Sequence, residues 1–322
     1  MAKSMMKTKE KRRVKGTVGN IFIGIVITLL IVYTISQFFV LGWGLLTSLK
    51  GRYDFESPNS NVLGFPDING LSKEAFTQLG NYKQVLSKFI INPSGSYYSM
   101  GRKIEYETSN NFWNMAFNSL MYIVIAGGMQ TIVPCIVAYM CSKYKYAFSK
   151  FIVGLVVVLL SVHIIGAGPA SVKLLRDLGL YDSFFGQAVQ HCTFLGMYCL
   201  VFVAYFDGLS DTYTEAAEID GASQFRVLVS IGLPLAAKML ITIFLLRTVS
   251  FWNDYNTPLL YLPSKPTLAY GVYKITQDST KGMGNVPVRV AGGMVLAIPM
   301  LIIFVIFKKQ LMGNVTMGGL KE

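Results

Sequence analysis

Six apolar runs divide the chain, and each is long enough to ask whether it crosses a bilayer. They cover about residues 20–46, 112–140, 151–168, 188–206, 236–260 and 290–308. A bilayer-spanning helix needs about twenty predominantly apolar residues. The expectation is therefore an all-α integral membrane protein with six transmembrane helices. No alternating pattern of strands and no internal repeat accompanies them. A short helix is expected within "SKEAFTQLGNYKQVLSKF", residues 72–89, with Ser72 as its N-cap.

The polar segments between the runs choose an orientation. Seven basic residues, Lys3, Lys7, Lys9, Lys11, Arg12, Arg13 and Lys15, precede the first run. That arrangement resembles a signal peptide, but the apolar run is too long and no small-residue cleavage site follows, so a retained helix is expected. The loop after the second run carries Lys143, Lys145 and Lys150 without an acid, and Lys308 and Lys309 follow the sixth run. Six spans put all three clusters on one side, and the positive-inside rule makes that side cytoplasmic. The expected organisation is a basic cytoplasmic tail at 1–19, a membrane domain at 20–308 and a cytoplasmic tail at 309–322. Within the membrane domain, 47–111 forms an outer loop with six acids and seven bases, and 207–235 forms an inner loop.

Composition agrees with this reading. Hydrophobic residues make up 52% of the 322 positions and charged residues 14%, against about 25% charged in soluble domains. The net charge of +12 would suit nucleic acid, but its basic cluster abuts an apolar run, which fits anionic lipid better. Cys135, Cys141, Cys192 and Cys199 show no Cys-x-x-Cys spacing, and His163 and His191 form no ligand pattern with them. No metal is expected. No glycine-rich Lys-Ser/Thr phosphate loop and no nucleophile–base constellation is present, so the chain is expected to be neither an ATPase nor any other enzyme. Asn314-Val315-Thr316 matches a glycosylation acceptor but falls in the expected cytoplasmic tail.

One polar stretch stands out, "TEAAEIDGASQFRVLVSIGLP" at 214–234. Thr212 and Glu215 have the spacing of a capping box. Ala216 and Ala217 form helix without bulk. Gly221 suits a left-handed stop, and Ser223 suits a second N-cap. Phe225, Leu228, Val229 and Leu233 fall at helical spacing, which predicts an apolar stripe facing the bundle. Pro234 is compatible with the first turn of the next helix. Two short helices at an angle are expected. Physics alone leaves an ordinary amphipathic connector open.

The stretch resembles the EAA loop of binding-protein-dependent permeases of ABC importers. Glu215, Ala216, Ala217, Gly221, Ile231, Leu233 and Pro234 match in register, and Asp220 and Ala222 resemble the carbohydrate-uptake, maltose-type branch. "GNYKQVL" at 80–86, "FNSLMYIV" at 117–124, "LRDLGLYDSFFG" at 175–186, "SFWNDYNTPLLYL" at 250–262 and the tail "FKKQLMGNVTMGGLKE" resemble further family segments, so the likeness spans nearly the whole chain. Two departures are the long outer segment 51–111 and the lack of a proline just before span four. The resemblance implies a type I ABC importer permease fold in a bacterial cytoplasmic membrane. It implies a sugar or oligosaccharide cargo, a second homologous permease, two ATPase subunits that bind ATP and Mg, and an external solute-binding protein. It also implies that the EAA helix docks on the ATPase.

Arg247 lies inside the fifth run, with Trp252, Asn253 and Asp254 beyond it. Charge inside a span faces a cavity or a partner. Arg247 and Asp254, seven residues apart, would share one helical face. These four are the candidate solute path, although an ion pair or an inter-permease contact that fixes packing explains Arg247 equally well. A non-sugar ABC permease and a stand-alone channel or ion-coupled transporter remain alternatives; the latter would show broken helices at corresponding positions of two halves.

Overall fold

A computed structural model describes residues 17–51, 63, 79–144, 147–162, 166–277 and 285–315. The basic tail before residue 17, Ser72, Lys145, His163 and the residues from Thr316 onward lie outside the described residues. Helix α1 is Thr17–Ser48, and α2 is Leu79–Lys88. Asn81 Nδ2 donates to the carbonyls of Ser48 and Lys50, at 2.9 Å each, while the Tyr82 and Ser48 hydroxyls meet at 2.7 Å. Thus α2 is tied to the end of α1.

The all-α expectation needs a correction. Strands β1 (Ser94–Ser99) and β2 (Arg102–Glu107) form an antiparallel hairpin, with Ser94 opposite Glu107 and Ser99 opposite Arg102. Met100 and Gly101 both have positive φ, 49° and 75°, the requirement of a type I′ turn. The Tyr97 ring packs edge-on against Tyr181 at 4.7 Å, and the Arg176 guanidinium lies 4.6 Å from the Tyr181 centroid. The Arg176 carbonyl accepts from Ser99 Oγ at 2.8 Å and from the Met100 amide at 3.1 Å. Period-two pairing was hidden because Ser, Gly, Arg, Lys and Glu occupy eight of the twelve strand positions and no Asn-Gly turn announces it.

Helix α3 (Phe112–Tyr122), a π turn at Ile123–Gly127 and α4 (Gly128–Lys143) run as one apolar element of 32 residues. At 1.5 Å per residue it is about 48 Å long, longer than a hydrocarbon core. Asn111 starts it, its side-chain oxygen accepting from the Asn114 amide at 2.9 Å. Next come α5 (Ala147–Ser161), α6 (Ala167–Asp177), α7 (Phe184–His191) and α8 (Met197–Asp207). Then follow α9 (Thr212–Ile219), α10 (Gln224–Val227), a π turn at Leu228–Gly232, α11 (Leu233–Leu235) and α12 (Ala237–Trp252). The chain ends through α13 (Asn256–Tyr261), α14 (Leu268–Gln277) and α15 (Val286–Val315).

Among the described residues, three helices are long and apolar enough to cross a membrane: Ile21–Ser48, Phe112–Lys143 and Val286–Leu311. A fourth counts if Gln224–Leu235 and Ala237–Trp252, bent by 69°, make one crossing. The apolar helices Phe148–Ser161 and Met197–Asp207 are shorter. The run at 188–206 is not one helix, because 192–196 is unwound between α7 and α8. Thr193 Oγ1 accepts from the Leu195 amide at 3.1 Å, a local bond that competes with helix.

Two apolar cores stack along the long α3–α4 element. One holds Phe112, Met115, Tyr122, Phe251, Trp252 and Leu268; the other holds Cys135, Tyr139, Cys199, Phe202, Phe206 and Ile243. In lipid, helices associate through close packing rather than water exclusion, so small residues matter. A Cβ on Gly271 would lie 2.8 Å from Met115 Sδ, and one on Gly232 would lie 2.7 Å from a Tyr139 ring carbon. By contrast, most side chains of α1 from Ile21 to Leu41 are exposed in the single chain.

Candidate coupling surface and interior cavity

The stretch at 214–234 folds as two short helices, with α9 offering no buried residue to the rest of the chain. Its start differs from expectation. Asp211 precedes it with helical backbone and no side-chain cap, and the Thr212 hydroxyl pairs instead with Ser210 Oγ at 2.6 Å. The Thr212–Glu215 capping box therefore does not form. Its end agrees in detail. Gly221 has φ +75°, the Gly221 amide donates to the Glu218 carbonyl, and the Ala222 amide donates to the Ala217 carbonyl, both at 3.0 Å. This crossed pair is a Schellman stop. It explains why a glycine must follow Ala217 at that interval. Glu215, Ala216, Asp220 and Gly221 are exposed, while Ala217 and Ala222 are half-buried.

Ser223 Oγ accepts from the Arg226 amide at 3.4 Å and starts α10 as expected. The predicted stripe is only half present. Leu228 and Leu233 pack on the second core, but Phe225 is 75% exposed, Val229 also faces outward, and Val227 is the residue buried instead. The intervening π turn rotates the helical register, which a constant period cannot anticipate. Pro234 occupies the first turn of α11, and Ile231 is half-buried.

The base of this loop is strapped to the C-terminal end of α4. Lys143 Nζ donates to the Leu209 carbonyl at 2.8 Å and to Asp211 Oδ1 at 2.7 Å. Ser142 Oγ donates to Asp207, and the Tyr144 hydroxyl donates to Gln224 Oε1. Gln224 Nε2 in turn donates to Glu218 Oε1 at 2.7 Å, joining α10 to α9. Sequence reading took Lys143 only as a topology marker; a lone lysine carries no sign of the carbonyl it will hold.

The four interior candidates separate. Trp252 is buried and its indole N–H donates to the Leu296 carbonyl at 2.9 Å, fixing α12 to α15. Asn253 is exposed, and its amide returns to the Val249 carbonyl at 2.9 Å. Asp254 lies beyond the end of α12, so the shared helical face with Arg247 does not exist. Its carboxylate accepts from the Tyr122 hydroxyl at 2.9 Å and from the Asn256 and Thr257 amides at 3.0 Å each. Arg247 alone lines a cavity, with Gln130, Pro134, Thr193, Tyr198 and Cys199. Its guanidinium lies 4.5 Å from the Tyr198 ring centroid, within cation–π range. Gln130 Nε2 bonds His191 Nδ1 at 2.9 Å. Gln130, His191 and the unwound 192–196 backbone were not legible as a site, since single polar residues in apolar runs have many structural uses.

Residues 130–313 match the model of the family described as binding-protein-dependent transport system inner membrane component. That is more than half of the chain. The protein belongs to this family. The inner membrane component is 27% identical over 151 residues to a probable ABC transporter permease protein of Pyrococcus horikoshii, a match covering 47% of this chain and 54% of that protein. It is 27% identical over 213 residues to the maltodextrin transport system permease protein of Bacillus subtilis, covering 65% of this chain and 76% of that protein. Its fold is similar to a crystal structure of a bacterial ABC transporter involved in the import of the acidic polysaccharide alginate. There the TM-score is 0.68 at 21% identity, covering 92% of this chain and 99% of that one.

Proposed function

We propose that this inner membrane component is a permease subunit of an ATP-driven importer of sugars or oligosaccharides, and that α9 receives the motion of a separate ATPase. The coupling part rests on one observation: α9 buries none of its residues in its own chain, yet is held rigid by a Schellman stop and the Lys143 strap. A short helix ordered at its end, with no fully buried residue and with Glu215 and Ala216 exposed, suits a second protein. Small Ala216 allows close approach, and Glu215 offers a carboxylate for charge-assisted bonds at a groove edge. The bend of 69° leads from this surface into α12, so tilting of α9 through α11 reaches Arg247 and its cavity as a rigid-body switch.

The saccharide cargo is supported by the maltodextrin permease among the relatives and by the alginate importer of similar fold. In this reading the six apolar runs make six crossings. Both termini and α9 are cytoplasmic, and the β1–β2 hairpin faces outward in a bacterial cell membrane. A second permease, two ATPases carrying ATP and Mg, and a solute-binding protein complete the importer. The chain itself does no chemistry.

Proteoliposomes holding the complete importer test this. ATP-driven saccharide uptake is expected, and Ala216→Arg is expected to remove it while the subunit still inserts. Normal uptake by that variant would overturn the coupling role.

A further inference from the structure

Three independent features meet at the cavity beside α12. The first is charge. Arg247 sits in a membrane helix, and among the described residues no carboxylate makes an ion pair with it; the pairs described are Lys103–Glu105 and Lys143–Asp211. An isolated charge at membrane depth is costly and normally finds a partner or a wet cavity. The Tyr198 ring is the only aromatic face described near its guanidinium, and a ring quadrupole compensates a charge only in part.

The second feature is unfilled hydrogen-bonding capacity. Arg247 Nε, Gln130 Oε1 and His191 Nε2 are buried without a partner. Gln130 donates through Nε2 to His191 Nδ1, so Nδ1 is the acceptor and Nε2 carries the proton. The cavity wall thus offers one unfilled donor, Arg247 Nε, and one unfilled acceptor, Gln130 Oε1, while His191 stands behind Gln130 and fixes its amide. Each such group left unmet carries a desolvation cost. The third feature is the unwound backbone at 192–196, between two apolar helices. Thr193 and its neighbours line the same cavity as Arg247 and Gln130. At membrane depth, non-helical backbone is tolerated where it is buried in protein or lines an aqueous cavity.

We propose that this cavity is a carboxylate-binding subsite for an acidic saccharide. The proposal rests on the reading of the chain as a saccharide permease and names the cargo class. Arg247 donates to the carboxylate, and Gln130 Oε1 accepts from a neighbouring hydroxyl. The mixed wall decides between anions. A phosphate dianion, or a carboxylate side chain from a second permease, brings acceptors and leaves Gln130 Oε1 unmet. A uronate brings a planar carboxylate matched to a guanidinium together with hydroxyl donors on adjacent ring carbons. The carboxylate edge of one such ring, with its adjacent hydroxyl, answers both atoms.

The test is equilibrium binding of radiolabelled trigalacturonate to the solubilised importer, without its solute-binding protein, beside the neutral galactotriose. Saturable binding of the acidic sugar, at least about tenfold tighter than the neutral one, is expected. Arg247→Gln should weaken the acidic sugar on the order of tenfold and leave the neutral one unchanged. Gln130→Glu places a carboxylate beside Arg247 and should produce the same loss, so it carries the test if Arg247→Gln fails to assemble. Equal affinity for the two sugars, no saturable binding of the acidic one, or acidic-sugar binding indifferent to both substitutions would overturn the subsite. If neutral saccharides are nevertheless driven by ATP into proteoliposomes, the permease reading stands while the subsite falls. If no saccharide is transported, both fall.

Discussion

The two candidate regions handle polarity in opposite ways. The α9 surface exposes Glu215, Ala216 and Glu218, ends in a Schellman stop and has no fully buried residue. The interior cavity is lined by Arg247 and Gln130, whose buried Nε and Oε1 atoms have no partner. One region is ordered at its end but lacks a surface to press against. The other is enclosed but lacks a polar occupant. The contrast is what the proposed roles rest on, a protein partner for the first and a small solute for the second, with α12 and its 69° bend between them.

Substitutions that exchange these properties should separate the regions. The largest effect is expected at Gly221, whose φ of +75° costs an ordinary L residue roughly 1–2 kcal/mol. Gly221→Val should cut uptake by roughly five- to thirtyfold, since each 1.4 kcal/mol is about a factor of ten, while surface labelling shows normal insertion. Normal uptake in that variant would remove the need for a rigid stop after Ala217.

Next is Gly232, where a methyl would lie 2.7 Å from the Tyr139 ring. Overpacking of this kind typically costs 1–3 kcal/mol. Gly232→Ala should lower the thermal midpoint of the purified complex, and Tyr139→Leu in the same chain should restore part of it. An unchanged midpoint would mean that the π turn adjusts freely.

A smaller effect is expected from Lys143→Met, which removes the bonds to Leu209 and Asp211. Hydrogen bonds made by a charged donor contribute about 1.5–3 kcal/mol when buried, and Asp211 is largely exposed, so the lower end applies. The expected readout is a several-fold rise in ATP hydrolysed per sugar moved, with hydrolysis itself retained. The smallest change belongs to Tyr97→Ala. It removes a ring pair of about 0.5–1.5 kcal/mol and should speed proteolysis of the hairpin while leaving the ATP-to-sugar ratio alone.

What could be read in advance follows the same division. The turn between α9 and α10 was legible because its chemistry is local: an alanine pair, then a glycine at the interval a Schellman stop imposes. Two local features were misread: in place of the capping box the Thr212 hydroxyl pairs with Ser210 Oγ, and Phe225 and Val229 of the expected stripe face outward. Hydropathy located the apolar runs but not the break at 192–196, since residues Cys192 to Gly196 stay mostly apolar while the backbone unwinds. Arg247 was visible as an anomaly, but its neighbours Gln130 and His191 come from other elements, and only tertiary packing joins them. The hairpin was missed because its order comes from contacts of Tyr97 and Ser99 with Tyr181 and Arg176, far along the chain.

The central claim is that α9 seats on a separate ATPase. Its most direct test is site-directed cross-linking in the assembled importer. Ala216→Cys is placed in a chain whose four native cysteines are replaced, and single cysteines are scanned across the surface of the ATPase. The account predicts a short-range cross-link from position 216 to one groove of the ATPase, with uptake blocked while the link holds and restored on reduction. Absence of any such link from 216, alongside efficient links from the β1–β2 hairpin to the same ATPase, would contradict both the docking role and the orientation.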